Sequence, residues 1–422
     1  MSFTQAQQEL SLHFLQNLPQ ANFTNPAYIS SQKTEIILPS IYYNLYTPDF
    51  NINNLFSTNE NGVRDLNEVA KTTLGIRNRI ITHINATTLG IAYTLKPKWR
   101  INVSHSYHAN MSADIDGTVI KALTHNYSKN IGKTFFFNST LNGNFYHQLA
   151  IGGSYQHNDH IDYGVRLKIL KGISSVFTQS GQSYVTIEDY NYATSYDNHI
   201  DVLGFSIEDI VDIKTMKGLL KESLNLRNLG VGLDIGAVYR ISKWQFSASI
   251  IDALSVLNWK KKGKNYIGTG LHRFSGVGNI RLFQSSQSSS FSIEDTLKNI
   301  LGLKILDNAQ HIQRLPTKLY VSALYNLNAK LRLGGLIYGE WGGGFPFQES
   351  LMIQASYKII DNFELGSSWS LRHKRLDNIG LHLMGQYKTL QVFGATDNIF
   401  TIFEPYNHKS ANLRLGVNLI LK

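Results

Sequence analysis

The stretch ANLRLGVNLILK, Ala411 to Lys422, alternates strictly between two kinds of residue. Leu413, Leu415, Val417, Leu419 and Leu421 form one face, and Asn412, Arg414, Gly416, Asn418, Ile420 and Lys422 the other. Period-two alternation marks a β-strand with one dry face. An edge strand of a soluble sandwich satisfies that pattern, and so does a membrane barrel strand with aliphatic residues toward lipid and polar or small ones toward a wet interior.

Working outward, the same two faces recur. Val392 and Gly394 alternate with Gln391, Phe393 and Ala395; Ile379, Leu381, Leu383, Gly385 and Tyr387 alternate with Gly380, His382, Met384, Gln386 and Lys388. Phe363 to Arg372, Leu351 to Lys358, Leu331 to Glu340 and Leu319 to Tyr325 repeat the arrangement. The polar face collects Arg332, Glu340, Lys358, Glu364, Arg372, His382 and Lys388 among Gly and Ser. Tyr325, Tyr338, Trp341, Tyr357, Trp369 and Tyr387 cluster near strand ends, as aromatic girdles at two membrane interfaces do. A packed sandwich core would instead place its large aromatics at the strand centres.

Connection lengths separate the alternatives. Tyr325 to Lys330, Ile360 to Asn362 and Lys388-Thr389 are tight turns, whereas Gly339 to Ser350, Arg372 to Asn378 and Ile399 to Ala411 are expected to be longer loops. Short and long alternate, so the short turns and the C-terminus share one side, which is the rule of outer-membrane barrels with short periplasmic turns and long external loops. Upstream, Thr87 to Leu95 and Trp99 to Tyr107, Leu149 to Tyr155 and Tyr163 to Ile169, and Leu229 to Tyr239 and Trp244 to Ile250 add hairpins. With further segments near Ile36, Ile76, Phe136 and Gly276, the expectation is an all-β, transmembrane antiparallel β-barrel of about 14 strands, with 16 as the upper count.

Composition agrees with this class. Charged residues are 17% of the 422, against about 25% in soluble domains. No run approaches the roughly 18 apolar residues of a spanning helix. The chain has no cysteine, which removes disulfides and thiolate chemistry. The net charge of +10 is scattered, apart from WKKKGKNY at Trp259 to Tyr266, read as a basic loop facing anionic lipid heads; nucleic acid is not an expected partner.

SIEDIVDIKTMKGLLKESLNL (206–226) and SIEDTLKNILGLKILD (292–307) break the period. Each opens on a capping Ser followed by acids and carries apolar residues at helical spacing, so both are expected to be short helices in loops. At the start, MSFTQAQQELSLHF lacks a basic and an apolar signal region, although Thr4-Gln5-Ala6 has a small-x-small look, so a remnant of a signal is expected there.

Gln7 to Ile29, LPSIYYN at Leu38 to Asn44, Gly230 to Trp259, Leu315 to Glu340 and Asp377 to Phe400 together resemble an uncharacterised family of outer-membrane barrels of type IX secretion lineages, similar in turn to the FadL/PorV class. The resemblance covers nearly the whole chain and implies a fourteen-stranded barrel in the bacterial outer membrane, with an N-terminal segment containing Asn25-Pro26-Ala27 folded as a plug. It implies either passage of a hydrophobic or amphipathic compound or a docking role in an envelope protein complex such as secretion machinery. It assigns no functional residue. The family commonly ends on an aromatic residue, where this chain has Ile420-Leu421-Lys422.

The expected organisation is therefore a signal remnant and plug over 1–30 and a barrel over 31–422, surrounded by outer-membrane lipid and lipopolysaccharide. Leu10, Leu12, Phe14 and Leu18, with Asn25 and Pro26, are the plug candidates, because a segment this apolar needs a surface to cover. Inward Leu336, Met384 and Phe393 are expected to form that surface, and Arg332, Glu340 and Arg372 to line the lumen. His157, Asp159, His160 and Asp162 read as a solvated turn rather than a metal site, and His105 and His108 fall on opposite faces. Gly342-Gly343-Gly344 reads as a mobile loop tip. No catalytic, metal or cofactor site is expected.

Overall fold

The computed structural model describes residues 10–50, 77–117, 127–189, 192–203, 226–260, 263–274, 304–307, 310–372, 375–404 and 408–421. Fourteen strands form the barrel: β1 (Thr34–Tyr46), β2 (Arg77–Lys96), β3 (Trp99–Asp116), β4 (Thr140–Gln156), β5 (Ile161–Ile187), β6 (Leu229–Ile241), β7 (Trp244–Ile251), β8 (Thr317–Asn326), β9 (Leu331–Gly342), β10 (Phe345–Ile360), β11 (Phe363–Arg372), β12 (Arg375–Tyr387), β13 (Leu390–Thr396) and β14 (Ser410–Leu421). Each pairs antiparallel with the next, and β14 closes the ring on β1, from Thr34 opposite Leu421 to Tyr46 opposite Ser410. Closure leaves this ring without an open edge, so the backbone polar groups find partners within the sheet. Pro39, which has no N–H to give, falls in the register shift between Ile37 and Ser40.

Side-chain alternation gives the wall two surfaces. In β10, Ile353 is 60% exposed while its neighbour Met352 is 2% exposed. Leu333, Ile337, Leu351, Leu383, Leu413 and Leu415 are likewise exposed on the outside, whereas Tyr338, Gln354, His382, Asn412 and Asn418 are buried inside. An aliphatic belt outside a polar interior, on a closed antiparallel ring, is the construction of a barrel of the bacterial outer membrane.

One end of the barrel carries only tight connections: Lys96 to Trp99, Gln156 to Ile161, Ile241 to Trp244, Asn326 to Leu331, Ile360 to Phe363 and Tyr387 to Leu390. Thr34 and Leu421 lie at the same end. The other end differs from the sequence expectation. Neither Gly339–Ser350 nor Arg372–Asn378 is a long loop, because β9 and β10 continue to a pair between Gly342 and Phe345, and β11 and β12 to a pair between Arg372 and Arg375. Aliphatic alternation marks only the lipid-facing band, while the ladder continues past it for as long as backbone groups find partners. Gly342, Gly343 and Gly344 form a tight hairpin at φ +93°, +69° and +81°, values that glycine adopts at little cost. This tip reaches across the mouth, where Asn142 of β4 donates to the carbonyl of Gly344 at 3.2 Å.

Among the described residues, six shorter strands build on that end. The upper half of β5 pairs with Thr134–Phe137 and with Tyr192–Leu203, and the latter pairs with Lys264–Phe274. The expected helix over 292–307 is corrected at its end: Lys304–Asp307 is a strand paired with Lys264–Ile267, because that neighbour offers an unpaired edge that takes precedence over local helical spacing. The rest of that stretch, and 206–225 of the other expected helix, lie outside the described residues. The basic-loop reading is corrected at its ends, where Lys264–Tyr266 and Trp259 are in strands, while 261–262 lie outside the described residues. Trp259 sits in Val256–Trp259, which pairs with His311–Arg314, and its fully buried indole packs with Tyr146, Leu170, Leu257 and Leu315.

Candidate functional site

Residues 10–28 lie against the inner wall. Two short 3-10 turns, Ser11–Phe14 and Pro19–Phe23, are built from bonds such as His13 N–H to Leu10 O (3.2 Å) and Ala21 N–H to Leu18 O (3.1 Å). Pro19 suits the first position of its turn, since a missing N–H there costs no bond. Leu10 and Phe14 pack on Ile251, Tyr320, Leu324, Leu336, Tyr338 and Met352. Leu12, Leu15 and Leu18 pack on Met384, Phe393 and Ala395. All five apolar side chains are at most 2% exposed, and burying each contributes about 1.5–3 kcal/mol before ordering costs.

Polar anchors fix the segment around the ring. The amide and hydroxyl of Ser11 donate to Asp397 Oδ1 at 3.2 and 2.5 Å. Asn17 donates to Glu364 at 2.9 Å, and Gln20 and Asn418 exchange bonds of 2.6 and 3.0 Å. Arg166 of β5 donates to the carbonyls of Asn22 and Phe23 at 2.8 and 3.0 Å, while its guanidinium and that of Arg414 lie 5.7 and 5.9 Å from the centre of the Phe23 ring. Ser249 donates to Thr24 O at 2.6 Å and Ser154 to Pro26 O at 2.7 Å. Asn25 Oδ1 accepts the Ala27 amide at 2.9 Å, forming the local turn that brings Pro26 against the wall.

His13 is the centre of one such anchor. Thr24 donates its hydroxyl to Ala21 O, so it receives Nδ1–H of His13 at 3.0 Å. Nε2 is then the acceptor for Tyr28 (2.8 Å) and Ser322 (3.0 Å). The ring stacks on Tyr320 with centroids 5.2 Å apart and planes 5° apart. Burial pushes His13 down to about 3 and Tyr28 up to about 12.

Above the segment the lumen is charged. Asp234 accepts from Arg166 (2.6 Å) and Lys168 (2.7 Å), and Asp252 accepts from Lys168 (2.7 Å) and Lys318 (3.1 Å), making one chain of alternating charge across β5, β6 and β8. Arg100 pairs with Glu35, and Arg332 with Glu364. A cavity of about 70 Å³ in this region is lined in part by Asn85, His108, Gln148, Lys168 and Lys318, and one beside the segment measures about 20 Å³. Pockets for drug-sized ligands run to about 300–1,000 Å³.

The residues expected from the sequence fall as follows. Leu336, Met384 and Phe393 face inward beneath the segment's leucines. Arg332 and Glu340 face inward as well, Glu340 accepting the Tyr338 hydroxyl at 2.5 Å. Arg372 ends β11 opposite Ser350. His157, Asp159, His160 and Asp162 do not converge: Asp162 turns inward to Arg240 at 2.6 Å, and His160 Nδ1 lies 2.9 Å from the Arg240 carbonyl. Among the described residues no three His, Asp or Glu side chains group as metal ligands. His105 faces lipid beside His147 (3.0 Å), and His108 faces inward. Sequence reasoning missed His13 and its hydroxyl partners Tyr28, Ser247 and Ser322, because no spacing links residues this far apart.

No curated protein sequence matches the chain. Among solved structures it is similar to a FadL homologue of Pseudomonas aeruginosa (10% identity, 95% of this chain and 93% of that one, TM-score 0.44). It is also similar to the toluene transporters TodX of P. putida (10%, 95% and 94%, 0.46) and TbuX of Ralstonia pickettii (10%, 96% and 95%, 0.39). A sequence profile matches residues 26–397, and the chain accordingly belongs to the family of unknown function DUF5723.

Proposed function

We propose that the protein is a non-enzymatic outer-membrane conduit or receptor for a hydrophobic or amphipathic molecule, with residues 1–30 as a signal remnant and plug segment and 31–422 as the barrel. The observation that carries this reading is the apolar inner wall of Leu336, Tyr338, Met352, Met384 and Phe393 in a lumen otherwise lined by ions, amides and hydroxyls, covered by leucines and a phenylalanine of the N-terminal segment. A polar lumen needs no such wall for its own stability. Displacing the segment would uncover it to an apolar ligand, and Arg332, Glu340 and Arg372 would set the charge of the path. Deleting residues 7–29 is expected to leave a folded, heat-modifiable barrel, since the described residues 10–29 form none of the ladder, and to raise single-channel conductance in planar bilayers. A deletion protein that folds and conducts no better than the parent refutes the plug.

A second reading is a docking subunit of an envelope complex, the role implied by the PorV-like side of the resemblance and its type IX secretion lineage. It is favoured by the small cavities among the described residues, about 70 and 20 Å³, which suit water rather than a ligand. Purification in mild detergent followed by mass spectrometry separates the two: co-purifying lipid-like molecules support the first, a stoichiometric envelope protein the second. Lipopolysaccharide is scored in the same experiment.

A further inference from the structure

The N-terminal segment is held on the wall at one point by an ionisable ring with no counter-ion among the described residues. His13 is fully buried and contacts Thr24, which closes the second 3-10 turn, and Tyr28, together with Ser322 of β8 and, at 3.2 Å, Ser247 of β7. Ser247 and Ser322 are themselves 2.7 Å apart, and Tyr28 reaches Ser247 at 3.0 Å. One imidazole therefore joins both 3-10 turns to two barrel strands.

We propose that His13 is a proton-operated latch: the neutral ring docks the N-terminal segment, and protonation of Nε2 releases it and opens the lumen. This rests on the reading of that segment as the plug. Among the described residues, the groups facing the ring are Thr24, Tyr28 and Phe14 from its own segment, Ser247 from β7, and Ser322 and Tyr320 from β8. None is an anion. Tyr28 stays neutral, because burial pushes it up to about 12. Arg240, the charged group that reaches Tyr28, is paired with Asp162 at 2.6 Å and would oppose a second cation. The serine and tyrosine hydroxyls can turn to accept a proton from Nε2, but they cannot neutralise a charge removed from water.

The sign follows from where the proton binds. Docked, His13 titrates at about 3; released into water it titrates at 6.5. Between those values the released state holds more protons, so docking weakens as pH falls below 6.5. From pH 7 to pH 5 the docking equilibrium should drop about 25-fold, and by about ninefold more from pH 5 to pH 4. The opening signal is thus a proton concentration, and no ligand is required for it.

The test is conductance of the full chain in planar bilayers at pH 7 and pH 5, for the parent, for His13→Gln, and for the deletion of 7–29. The parent should show an open-to-closed ratio about 25-fold higher at pH 5. His13→Gln, which keeps polar contacts but gains no proton, should be flat with pH, and the deletion should be open at both. A pH-flat parent beside an open deletion overturns the latch and leaves the plug. A His13→Gln protein that keeps the parental pH response also overturns the latch. A deletion no more conductive than the parent removes the plug and the latch with it. A reporter independent of the variant's folding is Ala21→Cys in the otherwise parental chain, at a fully buried position. Its maleimide labelling, normalised at each pH to Asn328→Cys in an exposed turn, should accelerate about 25-fold at pH 5; no acceleration overturns the proposal.

Discussion

A methyl group on Gly236 would lie 2.1 Å from Oδ1 of Asn25, and one on Gly164 would lie 2.1 Å from the carbonyl carbon of Pro26. These two glycines make room on the inner wall for the Asn-Pro turn, and a backbone atom of Pro26 cannot swing aside as a flexible side-chain tip can. Gly164→Val and Gly236→Val are expected to displace the segment while keeping the barrel. The check is faster maleimide labelling of Ala21→Cys with unchanged heat-modifiable mobility; unchanged labelling would show that the segment does not depend on this seat. Residue orientation on the outside is testable in the same way. Leu415→Arg and Leu383→Arg put a cation on exposed, lipid-facing positions, at a cost of about 2–4 kcal/mol near the midplane, measured as lower folding stability in lipid vesicles. Gln386→Arg, near the tight-turn end and on the inner parity, is expected to cost far less.

At the scale of elements, each strand's faces were legible because the side-chain period of a strand is two, and a lipid belt on one side makes any slip of register expensive. Leu331 to Glu340 and Ala411 to Leu421 adopt the alternation read from their residues. Strand ends were not legible. β9 and β10 extend to Gly342 and Phe345 beyond the aliphatic band, and the helical spacing of 292–307 gives way at Lys304–Asp307 to pairing with a neighbour distant in sequence. The segment at Leu10 to Phe23 is the intermediate case. Its need for an apolar cover was written in Leu10, Leu12, Phe14 and Leu18, whereas its shape of two 3-10 turns was not, because the wall and its hydroxyls select that shape.

For the molecule as a whole, the tight turns and both ends of the ring lie on one side, and the 397–409 connection, with its short helix Phe400–Phe403, lies on the other. In the outer-membrane orientation, with short turns in the periplasm, Glu404→Cys should react with an impermeant maleimide on intact cells and Asn328→Cys should not. The reverse pattern would invert the barrel. The amino-acid sequence alone determined that this chain is an antiparallel barrel of about 14 to 16 strands with a lipid face, because alternation, aromatic placement and turn length are local properties that survive being read one strand at a time, whereas ring closure set the count at fourteen. Only the tertiary structure decided what fills the barrel. The chain of Arg166, Asp234, Lys168, Asp252 and Lys318, the seating of Pro26 on Gly164 and the meeting of His13 with Ser247 and Ser322 join residues from separate strands. Ring closure sets those distances, and no spacing along one chain contains them.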